Sequence, residues 1–466
     1  MRCARTIKAL VLAAALAAGL ASPSRAERIT VMPGEDLDAV LARAAQGDEV
    51  VLAAGEHKGG VRLDKRLTLQ GEPGAVLQGP REGSVVTVLA PEAVVRGLTI
   101  RGSGMDLEKM DSGVFIEKSA TRARVEGNRI EGNLYGVYVH GPEDALVRKN
   151  IILGISNAGR INESGNGVSV WDAPGSKVID NDFSFGRDGI FSVASRKNIF
   201  ARNRFSNLRF AVHYMYTNES EVTDNISIGN TAGYAIMYSN RLIVRGNVSD
   251  GDRDRGFLFN FANGSAIEGN VVMGRRQPAE RWASRGSRTA QAREHGLATP
   301  GESSTHTEAK GARIGPEKCV FIYNSNQNQF RGNWFEGCEV GIHFTAGSER
   351  NEITGNAFIG NRNQVKYVGT RFLDWSKDGR GNYWSDNPGF DLNGDGIADT
   401  AYRPNDLIDT VLWTAPQAKL LVNSPAVQVI RWAQAQFPAL LPGGVVDTRP
   451  LISPPPRPAL AGGAKP

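Results

Sequence analysis

NRFSNLRFAVHYMYTNESEVTDN, residues 203–225, runs directly into NISIGNTAGYAIMYSNRLIVRGN, residues 225–247, and the two stretches share one plan. Each opens and closes on asparagine, a step of 22 residues. Working outward, asparagine recurs at Asn128, Asn150, Asn181, Asn203, Asn225, Asn247, Asn270, Asn333 and Asn356, mostly at steps of 22 or 23. The steps of 31 and 63 read as one turn plus an insertion. A small residue and an alternating apolar run follow each asparagine, as in Gly136-Val137-Tyr138-Val139, Gly189-Ile190-Phe191-Ser192 and Gly341-Ile342-His343-Phe344. A fixed period of this size marks a structural unit that cannot bury its apolar face alone and must stack on its neighbours. Alternation with period two is a strand signal, and the Leu-x-x-Leu-x-Leu pattern of leucine-rich repeats is missing. The sequence therefore predicts an all-β fold, a right-handed parallel β-helix with coils ~4.8 Å apart. The asparagines are predicted to hydrogen-bond their copies in neighbouring coils.

The organisation follows from where the repeat starts and breaks. Residues 1–26 read as a secretory signal, with Arg2, Arg5 and Lys8 before an apolar core and Ser24-Arg25-Ala26 at the cleavage point. Residues 27–105 read as an N-terminal cap with the first coils, the cap being an amphipathic helix over Glu35 to Gln46. Residues 106–372 carry the β-helix, interrupted by a polar insertion at 274–316. Residues 373–451 form a distinct, partly helical module, and 452–466 a proline-rich tail expected to be disordered. The helix predicted over Ala426 to Gln436, with Pro425 at its start, has two readings: a cap on the last coil, or a dock onto a membrane or membrane protein.

The chain has 54 Lys and Arg against 49 Asp and Glu, but four of those bases lie in the signal, so the mature charge is near +1. Charge thus gives no support to nucleic-acid binding. Of the three cysteines, Cys3 leaves with the signal; Cys319 and Cys338 suit either a disulfide or a buried pair of free thiols. Two cysteines are too few for a Cys-rich metal site.

Two constellations point to metals. Asp391, Asn393, Asp395, Ile397 and Asp399 match the first nine positions of an EF-hand-type calcium loop, with Gly396 at the sharp turn. Position twelve is Tyr402, so a bidentate ligand must come from elsewhere, with Asp406 the candidate. The other constellation emerges from the coil alignment. Position one after the small residue (Val114, Val137, Val168, Ile190, Val212, Ile236, Phe257, Val320, Ile342) faces inward, so positions two and four face outward. That places His213 and Met215 on one outer face, with Met237 expected beside His213 on the next coil. Imidazole plus thioethers suits Cu(I). Phe191, Trp171, Tyr138 and Phe321 on the same face equally suit a protein interface. The Arg187-Asp188 and Asp252-Arg253-Asp254-Arg255 runs read as solvated loop charge, and the Asp-Pro-His-Asp run typical of β-helix epimerases is absent.

The C-terminal half closely resembles the NosD family. The resemblance rests on Cys319-Val320-Phe321-Ile322-Tyr323-Asn324, Gly332-Asn333-Trp334-Phe335-Glu336-Gly337-Cys338-Glu339, Asp378-Gly379-Arg380-Gly381-Asn382-Tyr383-Trp384 and Tyr402-Arg403-Pro404-Asn405-Asp406, and it extends more loosely over nearly the whole mature length. It implies a periplasmic, non-enzymatic accessory protein of nitrous oxide reductase maturation. The implied partners are an ABC-type membrane subunit with its ATPase, a copper-chaperone lipoprotein and the apo-reductase, with membrane contact only through the transporter. Copper, with sulfur left open, would be delivered to the copper–sulfide cluster. The family pattern does not name the copper ligands. Two other readings stay open: a uronate epimerase or lyase, and a metal-free adaptor.

Overall fold

The computed structural model describes residues 26–155, 164–278, 313–345, 347–369, 371–405, 424–437 and 443–460, with residues 408, 411, 417 and 421. The signal region, most of the insertion, Asp406 and most of Leu407 to Trp413, which the sequence reads as a further helix, lie outside the described residues.

Three parallel sheets of 13, 12 and 13 strands wind into a right-handed β-helix. One coil shows the plan. Glu221–Thr223 is a short strand, Asp224 turns the corner at φ 55°, Ile226–Ile228 is a second short strand, and Ala232–Met237 is a long one. The inward residues Val222, Ser227, Tyr234 and Ile236 are fully buried.

The asparagine corner is the internal spine. Asn225 Oδ1 accepts from both the backbone N and the Nδ2 of Asn203, each at 3.0 Å. Asn225 Nδ2 in turn donates to the Phe200 carbonyl at 2.8 Å and to Asn247 Oδ1 at 3.0 Å. The side-chain amide thus ties three coils together and satisfies buried groups on the coils before and after its own. The 63-residue step is bridged the same way, Asn270 N donating to Asn333 Oδ1 at 2.9 Å. The insertion therefore leaves and re-enters within one coil, through an antiparallel pair, Arg275–Gln277 with Arg313–Gly315. The spine continues past residue 372 to Asn382, whose backbone N donates to the buried Asp447 at 2.7 Å. Trp384 Nε1 donates to the same carboxylate, and its ring stacks on Phe358 at 4.3 Å, which closes this end.

The cap helix at the other end spans Leu37–Arg43 and buries Leu37, Val40 and Leu41. Asp36 caps its first turn, and Lys65 Nζ donates to the last-turn carbonyls of Leu41 and Ala42 and to that of the C-cap Ala44.

Several expectations need correction. In the coil after Asn225 the small-residue slot is Gly233, not Ala235, because Val212 pairs with Tyr234. Tyr234, not Ile236, therefore takes inward position one. The core admits this tyrosine because its hydroxyl lies 2.9 Å from both the Asn225 and Val248 carbonyls and shares its one hydrogen with them. Of the two readings of Cys319 and Cys338, the disulfide is the one present, with Cα atoms 5.7 Å apart. The tail is not disordered through Leu460: Arg457 pairs with Glu336 and covers the Trp334 ring, and Leu460 packs on Val248, Val271 and Met273. Proline-rich chain has little entropy to lose on lying along such a surface.

Candidate functional site

The outer face of the long-strand sheet carries the candidate copper ligands. Phe210–Met215 supplies His213 and Met215, and Ala232–Met237 supplies Met237. The register changes their geometry from that expected. His213 has Phe191 and Ala235 as rung neighbours, while Met237 lies beside Met215. The two thioethers thus form a pair on adjacent rungs, both half-buried. His213 stands two residues from Met215 on the same face and diagonal to Met237.

His213 is itself buried, wedged between the rings of Phe191 at 4.9 Å and Phe210 at 5.0 Å. Its Nδ1 lies 3.1 Å from Asp188 Oδ2. Asp188 is buried and held by Arg209, whose Nε and Nη2 donate to its two oxygens at 2.7 and 2.5 Å. Burial alone would raise the Asp188 carboxyl; the Arg209 charge and the hydrogen bonds from His213 and Arg209 outweigh it and hold the group at about 2. An ionised carboxylate only accepts, so Nδ1 carries the hydrogen, and the 3.5 Å approach of Arg209 to Nδ1 is not a hydrogen bond. In the neutral ring the lone pair then lies on Nε2. That atom is buried and has no hydrogen-bond partner among the described residues. A carboxylate that fixes one imidazole nitrogen so the other can bind a cation is the usual second layer of a metal-binding histidine.

Asp188 was misread as solvated loop charge. It opens the strand Asp188–Val193, the rung before His213. The other charged run was misread too, since Asp252 and Arg253 are buried. Asp252 accepts from Ser227 Oγ, Ser249 Oγ and Asn230 N. Burial raises it to about 7 despite those bonds.

An aromatic row flanks the thioethers, and the alignment missed it. Tyr216 follows Met215 and Tyr238 follows Met237. Their exposed rings stack at 5.0 Å, and Tyr238 stacks on Phe261 at 5.1 Å. All three sit at positive φ, 51°, 50° and 53°, a strained backbone for bulky side chains. His140, farther along, stacks on Trp171 at 4.6 Å. His343 packs on Phe321; burial first, then Lys318 and Lys366, push its ring down to about 3, so it is neutral.

The acidic loop is exposed and turned on itself. Asp391 Oδ1 accepts from Gly394 N and its Oδ2 from Gly396 N, at 2.6 and 2.8 Å. Asp395 Oδ1 accepts from Ile397 N, and Asp399 Oδ2 from Leu392 N. Tyr402 turns away and donates to Asp386. Among the described residues no three His, Cys, Asp or Glu side chains converge to hold a metal ion. The candidate His213 set holds one imidazole and two thioethers and lies outside that residue class.

The family described as "Periplasmic copper-binding protein (NosD)" matches residues 153–389. A relative from Stutzerimonas stutzeri, named "Probable ABC transporter binding protein NosD", is 41% identical over 401 residues, 86% of this chain and 86% of its own length. One of the same name from Pseudomonas aeruginosa is 40% identical over 427 residues, 91% of this chain and 93% of its own. Among solved structures, the Family 28 exopolygalacturonase of Yersinia enterocolitica is 12% identical with a TM-score of 0.47, covering 74% of this chain and 78% of that one. The A-module of the Azotobacter vinelandii mannuronan C-5 epimerase AlgE6 is 11% identical with a TM-score of 0.41, covering 71% and 90%. Likeness at that level carries no argument about chemistry.

Proposed function

Because the chain belongs to the NosD family, a family of periplasmic proteins, we propose that it is a non-enzymatic assembly factor that receives cuprous copper and passes it toward nitrous oxide reductase. The observation that carries this reading is His213. Its Nδ1 is locked by the buried Asp188, and its Nε2 has no partner among the described residues, with Met215 two residues along the same face and Met237 on the next rung. Copper is cargo here. A neutral imidazole and two thioethers form a soft, uncharged set that prefers Cu(I) to harder cations. A set of three protein ligands leaves a fourth position for an incoming or outgoing ligand from another protein. That suits transfer better than storage.

In this reading an ABC-type membrane subunit and its ATPase are partners, consistent with the relatives' names as transporter-binding proteins. A copper-chaperone lipoprotein supplies the ion and the apo-reductase accepts it. The test is anaerobic Cu(I) titration of the mature protein against a competing chelator, beside a His213→Ala/Met215→Ala/Met237→Ala variant. One ion bound by the wild type and lost in the variant is expected. Equal behaviour of the two sinks the copper site. The stacked, exposed Tyr216–Tyr238–Phe261 row favours a second reading in that case, a metal-free adaptor docking through this face.

We also propose calcium as a structural ion at Asp391, Asn393, Asp395, Ile397 and Asp399, on their spacing. Thermal unfolding with and without a chelator tests it. An unchanged midpoint means the loop is held by its own amides alone.

A further inference from the structure

The exposed aromatic row ends in a vacancy. Asp172, Ala194, Tyr216, Tyr238 and Phe261 hold the same corner on five successive coils, their backbone N–H groups donating in turn to the carbonyls of Val193, Met215, Met237, Asn260 and Tyr323. All five turn at positive φ, between 44° and 53°, so their side chains leave the corner in the same direction. Phe261, Tyr238 and Tyr216 fill the column with stacked rings, centroids 5.1 and 5.0 Å apart. At Ala194 a methyl stands where the next ring would be. Tyr238 has a ring on both sides and is 36% exposed; Tyr216 has one on a single side and is 53% exposed.

The gap is a cleft of about 380 Å³. Tyr216, Ala194 and Pro174 give it apolar walls, and the exposed Asp172, Arg196 and Glu219 line it as well. Glu219 is paired with Arg241 at 2.6 Å. Apolar walls inside a rim of both charge signs are the anatomy of an anchor pocket at a protein interface.

The floor decides what enters. A group that continues the stack brings its leading edge onto the Ala194 methyl. The C–H edge of a phenyl or indole meets a methyl with no polar group to satisfy. A sugar carries hydroxyls around its edge, and one turned onto the methyl would give up its hydrogen bonds to water. A guanidinium or ammonium would do the same, with Arg196 alongside. Aromatic pairs favour stacked centroids about 4.5–7 Å apart, the spacing this column already keeps.

We propose that the cleft over Ala194 anchors a protein partner, which lays one Trp or Phe side chain against Tyr216 and completes the column. Met215 directly precedes Tyr216, so the anchored partner lies beside the proposed Cu(I) ligands. What the partner exchanges there rests on the copper reading; the anchoring itself needs no metal.

The experiment is ligand-observed NMR on the metal-free mature protein with N-acetyl-tryptophanamide as the probe, beside N-acetyl-leucinamide and methyl glucoside. The wild type is expected to bind the tryptophanamide and neither of the others. Ala194→Tyr fills the cleft from within, and the φ of 53° at that position matches the 51° of Tyr216, so the backbone accepts a ring. Its melting curve should match the wild type or lie above it, and its affinity for the probe should fall about tenfold or more. Tyr216→Ser removes the platform without filling the cleft and should lose the probe as well. A wild type that does not bind the tryptophanamide overturns the proposal, as does an Ala194→Tyr variant that binds it equally well. Binding of the glucoside instead overturns it and makes the cleft a sugar site. Probe binding that appears only after Trp282→Ala assigns the cleft to the insertion of this chain, and a wild-type dimer that Ala194→Tyr dissolves assigns it to a second copy; either overturns it too. Cu(I) competition on Ala194→Tyr should match the wild type, so failure of the anchor and failure of the copper site are read separately.

Discussion

Asp188→Asn removes the charge that orients His213 while keeping size and shape. Its magnitude can be worked from the structure. The folded carboxyl sits at about 2 against an ordinary 3.8, a difference worth about 2 kcal/mol. The sign follows from a depressed acid: the stabilisation is fully present above pH 3.8 and is lost as pH falls toward 2. An asparagine cannot supply it and leaves Arg209 facing a neutral amide. Removing one partner of a buried ion pair costs about 3–5 kcal/mol. The Arg209 side chain keeps 15% exposure, so water recovers part of that. The expected loss is about 2–3 kcal/mol at neutral pH, read from urea unfolding. Copper affinity should fall about 10–100-fold, because the amide no longer requires the hydrogen on Nδ1. Both are measured on one sample: Cu(I) competition where the variant is fully folded, and urea unfolding without metal. Asp188→Glu keeps the charge and should restore part of the affinity. A folded Asn variant that binds Cu(I) as the wild type does refutes the claim that Asp188 prepares His213.

Other changes probe separate parts of the argument. Met237→Leu conserves volume, so stability should move by less than about 1.5 kcal/mol while Cu(I) affinity drops; unchanged chelator competition would remove Met237 from the ligand set. Asn225→Ala strips hydrogen bonds from Asn203, Phe200 and Asn247 and should cost about 3–6 kcal/mol in urea unfolding. Asp252 is raised to about 7, so the folded state favours its neutral form: that contribution is complete below pH 3.8 and fades as pH climbs toward 7. Asp252→Asn should flatten that part of the stability–pH curve, and an identical slope would show that another group titrates. Cys319→Ser/Cys338→Ser opens a buried link between adjacent coils and should cost about 2–5 kcal/mol; an unchanged melting curve would contradict it.

The sequence by itself determined the architecture, because the β-helix is quasi-one-dimensional. A repeating asparagine and a period-two apolar run meet the same neighbours in every coil, so local pattern and global fold carry the same information. That is why Asn203, Asn225 and Asn247 could be placed in one buried column, and why His213 and Met215 could be set on one outer face. The helix at Pro425 and the family resemblance were legible for similar local reasons.

Tertiary structure decided whatever depended on comparing coils at single-residue precision. Gly233 and Ala235 are both small, so the alignment slipped by two residues. Parity survived, which kept Met237 outward, but its partner changed from His213 to Met215. Asp188 looks like loop charge in the chain and becomes the orienting group of His213 only when one coil lies on the next. The disulfide depended on a Cα separation of 5.7 Å that spacing could not supply. The tail found a surface made by Val248, Val271 and Met273, none of them near it in sequence. The last helix, Pro425–Gln436, keeps Val429, Trp432 and Phe437 exposed. That side was likewise settled by packing, since an amphipathic pattern says that a stripe wants cover and not what covers it.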